Sequence, residues 1–390
     1  MAFLAVLRQI AQYLPSFLSS ETQHTNQNAE TLSGMDIGIF CVMCGGPFDI
    51  NGDIYHIDSE DERFRWLFNY RLLGFTEDVI NHQLSSQPVE FKNYSDDEDV
   101  FLSERAYYSI NHSSCFNVPG ITSESDAWFN VLRESSQARA ALFPLHESCI
   151  SIGCRVIDRT RVHKLPFDRM SSLVILNDVL QLCRLETKVG RSDSKMDILN
   201  LCEAPGGLGP RSVLALTKLE MWKGTYEKFY TNPLDIPNLI PFTLSILEET
   251  PADSHWSMSR VTSRHRGFEE LPNELLDQIC SYLPVSSVIS LARTCKLLAL
   301  RALNGTFWRT RLIDGSLVPH MWDLDNAVFN ESAMRTNRNW GRVAKILSQR
   351  RLPMDQIDWR LKDIPDGLWN RCRVWSIVEK AAMEYFAREV

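Results

Sequence analysis

Short apolar stripes of helical period, separated by breaks, are clearest between residues 268 and 312. The first stripe has five members on one predicted helix face: Leu275, Leu276, Ile279, Cys280 and Leu283. Pro272 suits the first turn of this helix, because its missing N–H loses no hydrogen bond there. Pro284 ends the helix, because a proline ring cannot continue the ladder of backbone hydrogen bonds.

A second stripe follows Ser286 and Ser287, either of which can cap a helix by accepting from its free amides. Its apolar members again share one face: Val288, Leu291, Ala292, Cys295, Leu298 and Ala299. A break at Asn304 and Gly305 precedes a third short helix that reaches Trp308. Three helices in about 45 residues enclose little core, since domains below roughly 40 residues rarely fold alone. We therefore expect the rest of the chain or a second protein to cover these apolar faces.

The segment LPNELLDQICSYLPVSSVISLARTCKLLALRALNGTFWRTRL resembles an F-box. The matching features are the leading Leu-Pro, the helix that ends in Tyr-Leu-Pro, the run LARTCK and the closing Phe-Trp-Arg. Leu298 departs from the pattern, since a bulkier aromatic residue is common there. In that family the module docks on the Skp adaptor subunit of a cullin-RING ubiquitin ligase. The alternative is an ordinary helical hairpin inside a core.

The resemblance implies a partner-binding surface that is shared between the adaptor and the chain's own flanks. Nine residues make up this predicted surface: Leu271, Pro272, Leu275, Leu276, Ile279, Leu283, Leu291, Cys295 and Trp308.

A second chemical signal is the sequence CVMCGG, in which Cys41 and Cys44 are followed at once by two glycines. This matches half of a zinc knuckle, because glycines let backbone amides turn toward the sulfur atoms. A thioredoxin-like redox pair shares the spacing, but it needs a helix after the second thiol, and Pro47 would disrupt one.

A tetrahedral site needs two further ligands, and the best pair is His146 and Cys149 at a predicted helix start. Cys41, Cys44, His146 and Cys149 would form a site closed to substrate, which predicts structural rather than catalytic zinc. The alternatives are the competing pair His112 and Cys115, the spare thiol of Cys154, or simply buried, inert cysteines.

Composition narrows the classes of function. A formal net charge of −8 argues against general nucleic-acid binding, which needs a basic surface. Ten cysteines without dense spacing and without an export signal indicate a reducing compartment, cytoplasmic or nuclear. Residues 1–18 carry an apolar helical face, but Arg8 and Gln9 leave an apolar run too short to span a membrane. We expect a peripheral amphipathic helix there, with a membrane-surface role as the alternative.

Two further motifs favour plain structural interpretations. The run from Asp197 to Gly207 ends in Ala-Pro-Gly-Gly and resembles the first motif of S-adenosylmethionine-dependent methyltransferases. About sixty residues separate it from the F-box-like segment, too few for the strands and helices that such a sheet requires. We therefore predict a turn and no enzyme, with the methyltransferase as the less favoured alternative. Residues 94–100, YSDDEDV, predict a solvated acidic loop rather than a calcium site.

The predicted fold class is α+β, with few short strands in a mixed N-terminal domain. A three-helix F-box-like module and C-terminal helices follow it. The predicted boundaries are a helix and linker at 1–34, an α+β domain at 35–250, a linker at 251–266, the module at 267–312 and a helical region at 313–390. Helices are predicted at 64–73, 171–185, 323–329, 339–350 and 367–388.

The wider pattern resembles a family of fungal F-box proteins with a cysteine-containing N-terminal domain. The matching stretches are CVMCGGPF, PLHESC, NPLDIP, the late F-box and WNRCRVWSIVEKAA. No repeat of 20–50 residues follows the module, so a target must be held by residues 30–260, the C-terminal helices or both. The resemblance implies a substrate receptor of an SCF-type ubiquitin ligase, with the Skp adaptor and one target protein as partners. The alternative is a zinc-stabilised interaction protein without a ligase role.

Overall fold

The computed structural model describes residues 41–46, 48, 60–84, 90–109, 115–120, 126–131, 140–161, 170–188, 230–249, 270–323, 339–348 and 364–388. These residues divide into two compact units. One unit comprises the described residues up to Ile236 together with those from Asp366 onward, and the other comprises those between. None of the described helices is long and apolar enough to cross a membrane.

The described residues of the first unit form two small antiparallel sheets. β1 (Tyr70–Phe75) lies between β2 (Val100–Leu102) and β6 (Phe143–His146). β4 (Cys115–Pro119) lies between β3 (Tyr107–Tyr108) and β5 (Asp126–Asn130). A short helix, α1 (Thr76–Val79), follows β1 directly. The α+β prediction is thereby confirmed.

Three longer helices also lie in the described part of this unit: α2 (Glu147–Arg161), α3 (Ser172–Lys188) and α10 (Asp366–Arg388). α10 packs on both α2 and α3. Its predicted stripe is buried along its whole length: Leu368, Cys372, Trp375, Val378, Ala382 and Phe386. The structure thus divides the predicted C-terminal region at 313–390, because its last helix belongs to the α+β unit.

A close backbone approach fixes the start of α10. A Cβ atom on Gly367 would lie 2.5 Å from the carbonyl oxygen of Asn232, so a larger residue would push the two segments apart. The buried Arg371 donates from Nε to the Pro233 carbonyl oxygen (2.5 Å) and from Nη2 to that of Leu234 (2.8 Å). These bonds hold the proline-rich run after Thr231 against the helix.

The second unit is helical. It contains α4 (Leu239–Glu249), α5 (Asn273–Tyr282), α6 (Val285–Ala292), α7 (Lys296–Ala302), α8 (Gly305–Ile313) and α9 (Trp340–Leu347). Its described buried core is mainly aliphatic, and Phe307 and Trp308 add an edge-to-face ring pair with centroids 5.1 Å apart.

The F-box-like module has four helices, and the prediction of three was wrong. The predicted second helix breaks at Cys295, whose backbone is extended with φ −153° and ψ 158°. The Sγ atom of Cys295 then accepts from the Leu298 amide and caps α7. The apolar spacing continues across this break, and for that reason it suggested one continuous helix.

The helix predicted at 64–73 was also wrong. Residues Arg65–Phe68 form a single 3₁₀ turn, and the chain then enters β1. Aromatic and aliphatic residues in a short run suit a strand as well as a helix, and pairing with two neighbouring strands decides the outcome. The helices predicted at 171–185 and 339–350 match α3 and α9.

Several predictions lie outside the described residues. These are the helix and linker at 1–34, the motif at 197–207, the linker at 251–266, His112, and nearly all of the helix at 323–329.

Arginine and asparagine side chains hold α5 in place at three points. At its start, Arg301 donates from Nε to Asn273 Oδ1 (2.7 Å) and from Nη2 to the Leu271 carbonyl oxygen. In its middle, Asn304 donates to Asp277 Oδ1 (3.0 Å).

At the end of α5, one guanidinium donates to several backbone carbonyl groups. Nη2 of Arg311 lies 2.8 Å from the Cys280 oxygen, 3.0 Å from that of Ser281 and 2.6 Å from that of Leu283. A cation also interacts favourably with the negative end of the helix dipole.

We predict that Arg311→Met loosens the end of α5. Hydrogen bonds to a charged group contribute about 1.5–3 kcal/mol, so amide exchange at residues 280–283 is expected to accelerate roughly tenfold or more. Hydrogen-exchange mass spectrometry measures this directly. Arg293→Met, at an exposed arginine of the same module, is the matched control and leaves exchange unchanged. Unchanged exchange in Arg311→Met would show that the Arg311 hydrogen bonds do not stabilise the end of α5.

Candidate functional site

Two features of the described residues are candidates for function, a buried thiol–imidazole cluster in the α+β unit and an exposed apolar face on α5. The cluster consists of Cys41, Cys44, His146 and Cys149. Their potential ligand atoms all lie within 4.8 Å of one another, and each residue is at most 1% exposed. The two half-sites that sequence spacing selected therefore meet in space.

Local structure explains how each pair is presented. Cys41 and Cys44 lie in a tight turn, and Gly45 has a φ of 72°, which glycine adopts without strain. His146 is the last residue of β6, and Cys149 lies in the first turn of α2. Strand pairing of Tyr70 with His146 fixes the imidazole's position in the sheet.

The cysteine turn is closed by hydrogen bonds to both backbone and sulfur. The Gly45 amide donates to the Cys41 carbonyl oxygen at 2.7 Å. The Gly46 amide donates to Cys44 Sγ at 3.2 Å. A Cβ on Gly46 would lie 3.0 Å from His146 Cε1 and 3.1 Å from Cys44 Sγ, so a side chain there would require these neighbours to shift by a few tenths of an ångström. The second glycine thus brings the backbone amide and the imidazole together at one sulfur.

The imidazole is enclosed by aromatic rings. The ring centroids of Phe48, Trp66 and Tyr70 lie 4.9, 5.0 and 6.4 Å from that of His146. His146 Nδ1 lies 3.3 Å from Cys44 Sγ. Its other nitrogen, Nε2, is buried without a hydrogen-bond partner among the described residues. Bulk solvent is therefore excluded from the ring, and its polar interactions are confined to the cluster.

The cluster redistributes protons among its members. Burial disfavours the charged thiolate of Cys41, but hydrogen bonds from Cys149, Cys44 and His146 outweigh it and hold its pKa well below the usual value. Burial acts against the imidazolium form too, yet the interactions of the ring with Cys44 and Cys41 raise the pKa of His146 to about 10. Burial raises the pKa of Cys149. These shifts favour a thiolate at Cys41 beside a protonated imidazole at His146.

A positive side chain from α10 faces this negative charge. Burial lowers the pKa of Arg373, while the sulfur groups of Cys44, Cys149 and Cys41 raise it. Asn370 Oδ1 accepts from Arg373 Nη2 at 2.8 Å, and Asn370 Nδ2 donates to the Thr231 carbonyl oxygen at 2.9 Å. The last helix thereby contributes a cation beside the cluster.

These observations establish that the four residues can hold a metal ion. Three sulfurs and one imidazole converge, are buried together and carry stabilised negative charge. The competing thiols lie outside this group, since Cys115 is on β4 and Cys154 is at a half-buried position of α2.

The second candidate site is the outer face of α5. Leu276 and Cys280 point into the module and are 0% and 1% exposed. Leu275 is 48% exposed and Tyr282 is 80% exposed, and Ile279 between them is half-buried. These three are spaced i, i+4 and i+7 and therefore form one stripe, which we call the outer stripe.

The structure divides the nine predicted partner-binding residues into two groups. Leu276 and Trp308 are interior residues, and Trp308 Nε1 donates to the Leu303 carbonyl oxygen at 3.1 Å. The other seven retain accessible surface: Leu271, Pro272, Leu275, Ile279, Leu283, Leu291 and Cys295. Their contact with a partner stays a prediction.

Sequence reasoning left out Tyr282, although its ring is the most exposed large apolar group that the structure describes. It follows Ile279 by three residues, so helical spacing could have found it. Arg311 carried no comparable signal, because its role depends on the folding of α8 against the end of α5.

Comparison with known families bears on the second site alone. Residues 268–314 match the family model described as F-box-like. Neither a curated protein nor a solved structure matches the chain. At the level of that family, such a domain suggests a Skp-binding adaptor of an SCF-type ligase. The match supports the interpretation of this chain as an F-box protein whose F-box-like domain occupies residues 268–314.

Proposed function

We propose that this protein is a substrate receptor of an SCF-type ubiquitin ligase and docks on the Skp adaptor through the outer stripe. The observation that carries the proposal is a family match at 268–314 that coincides with an exposed apolar stripe on α5. Such a receptor needs no catalytic residue of its own. It holds a target near the ligase, which raises the effective concentration of the target's lysines.

The module suits this role because its core and its outer face are made by different residues. Leu276 and Cys280 are buried in the core of the module. Hydrogen bonds from Arg301, Asn304 and Arg311 fix the helix that carries the exposed stripe. A pre-positioned apolar face loses little conformational entropy on binding. Docking would bury the exposed Tyr282 ring, and aromatic residues are frequent hot spots of interfaces.

Adaptor binding is expected to depend on Leu275 and Tyr282. The double variant Leu275→Ala, Tyr282→Ala should weaken binding by about 2 kcal/mol or more, roughly thirtyfold, because both side chains belong to the interface core. Affinity for the purified adaptor, measured by calorimetry, checks this. The fold should be unchanged, since both residues are exposed.

Met383→Ala is the matched control, because Met383 on α10 is 49% exposed and Leu275 is 48% exposed. It should leave affinity unchanged. A second double variant, Leu271→Ala with Pro272→Ala, removes the start of the predicted surface. Wild-type affinity in both double variants would exclude docking through α5.

We further propose that Cys41, Cys44, His146 and Cys149 hold a structural zinc ion. Three thiolates and one imidazole are ligands that zinc prefers, and a set of four leaves no open position for substrate. Zinc–sulfur bonds of about 2.3 Å correspond to sulfur atoms about 3.8 Å apart, which is compatible with ligand atoms that all lie within 4.8 Å of one another. When bound, the ion would supply cross-linking of the cysteine turn, β6 and α2.

The metal proposal predicts that Cys149→Ser removes bound zinc. Purified wild-type protein should contain one equivalent by elemental analysis, and the variant should contain much less and unfold at lower temperature. Cys154→Ser is the control, because Cys154 lies on the same helix but outside the cluster. Wild-type protein purified without zinc that also fails to bind added zinc would refute the proposal.

Zinc affinity is also expected to rise with pH. The raised pKa values of His146 and Cys149 keep both groups protonated near pH 7 before metal binding, and each must lose its proton to become a ligand. Calorimetric titration of the metal-free protein in two buffers of different ionisation enthalpy should therefore detect proton release. An affinity that is constant between pH 6 and pH 8 would contradict this.

A further inference from the structure

A row of side chains crosses the outer face of the sheet β3-β4-β5. Tyr107 pairs with Asn117, and Asn117 pairs with Trp128. Gln83 forms an antiparallel bridge with Phe129, and the Leu84 amide donates to the Trp128 carbonyl oxygen at 2.8 Å. Leu84 therefore lies opposite Trp128. Directly paired residues point to the same face of a sheet. We call this set of two aromatic rings and two neighbours the aromatic row: Tyr107, Asn117, Trp128 and Leu84.

The aromatic row is exposed although the sheet's inner face is sealed. Tyr107 is 50% exposed, Leu84 is 45% exposed and Trp128 is 38% exposed. The inner face is fully buried: Phe116, Val118, Ala127 and Phe129. Single exposed apolar residues are common on soluble proteins, but aligned ones indicate an interaction site.

The spacing of the strands that carry the two rings favours one type of partner. Neighbouring strands lie about 4.8 Å apart, so Tyr107 and Trp128, two strands apart, are separated by about 9.6 Å. A polyproline II helix rises about 3.1 Å per residue with three residues per turn, so the same face of the helix recurs every ~9.3 Å. An extended strand presents one face only every ~6.8 Å, which does not match. We propose that the aromatic row binds a Pro-x-x-Pro segment that lies across the strands, with one proline on each ring.

Polar groups in and beside the row suit such a ligand. A polyproline II segment has no internal hydrogen bonds, so its carbonyl groups need donors. Asn117 lies between the rings and donates from Nδ2 to Asp126 Oδ2 at 2.9 Å. A side-chain amide has two N–H donors, so Asn117 can also bond a peptide carbonyl.

Charge gives the row a direction. The Arg105 guanidinium carbon lies 5.5 Å from the centre of the Tyr107 ring. Asp126 is exposed and precedes Trp128 by two residues, so both point to the same face. A complementary segment therefore carries an acidic residue beside the proline on Tyr107, near Arg105. It carries a basic residue beside the proline on Trp128, near Asp126.

The inference stands on this sheet alone and does not require adaptor docking. Combined with the proposed receptor role, it makes a proline-rich segment the feature by which a target is held. The two proposals fail separately, because the test below uses the full chain without an adaptor.

The direct test observes the Trp128 indole while peptide is added. The chain has ten tryptophans, and ¹⁵N-tryptophan labelling gives one NMR signal for each indole. The Trp128→Phe variant identifies the Trp128 signal by its loss. A peptide of nine prolines should shift that signal, and a Gly-Ser peptide of equal length should not. A Trp128 signal that oligoproline leaves unmoved at millimolar concentration overturns the proposal, as does an equal shift with the Gly-Ser peptide.

Variants test the geometry by fluorescence anisotropy of a labelled oligoproline. Tyr107→Ala and Trp128→Ala should each weaken binding at least tenfold, and Trp128→Phe should retain most of it. Tyr94→Ala, at an exposed aromatic of the same unit that lies outside the row, should have no effect. Equal losses in all of these variants, or binding of an oligosaccharide or single-stranded RNA in place of oligoproline, would refute the assignment.

Flanking charges test the direction. Peptides with glutamate before and arginine after the prolines, and in the reverse order, should differ at least threefold in affinity. Combining Arg105→Gln with Asp126→Asn should abolish the difference. Equal affinities for both orders in the wild-type protein would show that the charged ends play no part.

Discussion

The position of α5 is fixed by side chains from the helices that follow it, and the proposed docking role depends on this constraint. Arg301 holds the start of the helix and Arg311 caps its last carbonyl groups. With Leu276 turned inward, the helix cannot rotate to hide Leu275 without exposing part of the core. The apolar outer stripe is therefore a consequence of how the module folds.

The α+β unit has a comparable constraint in its cysteine cluster. Cys44 and His146 are separated by 102 residues in the chain, and their contact joins a turn near residue 41 to the end of β6. Because Cys149 opens α2 and Arg373 lies on α10, the cluster connects elements from both ends of the described sequence. A metal ion at this point would stabilise the whole unit, since long loops closed by a cross-link lose the most unfolded-state entropy.

Local patterns predicted the features that depend on local chemistry. The cysteine turn and the HxxC pair carry recognisable spacings, so the four cluster residues could be named from the sequence. The apolar stripe of α10 also has a clean helical period. What packs against α10 could not be predicted in the same way, because the approach of Gly367 to Asn232 joins distant parts of the chain.

Packing between elements accounts for the remaining differences between the predicted and the observed structure. Leu275 and Leu276 are adjacent and chemically identical, so only the packing of α7 and α8 decides which one is buried. The break at Cys295 interrupts an apolar pattern that would suit a continuous helix, and the sulfur cap that stabilises the break is visible only in the folded chain. The segment at 64–73 enters a strand at Tyr70 because β2 and β6 are available to pair with β1.

Amide hydrogen exchange of the full chain with and without the Skp adaptor tests the central claim most directly. Docking through the outer stripe predicts slower amide exchange at residues 271–283, with no change in the sheets of the α+β unit. Binding of the adaptor without protection of that segment, or no binding at all, would contradict the account.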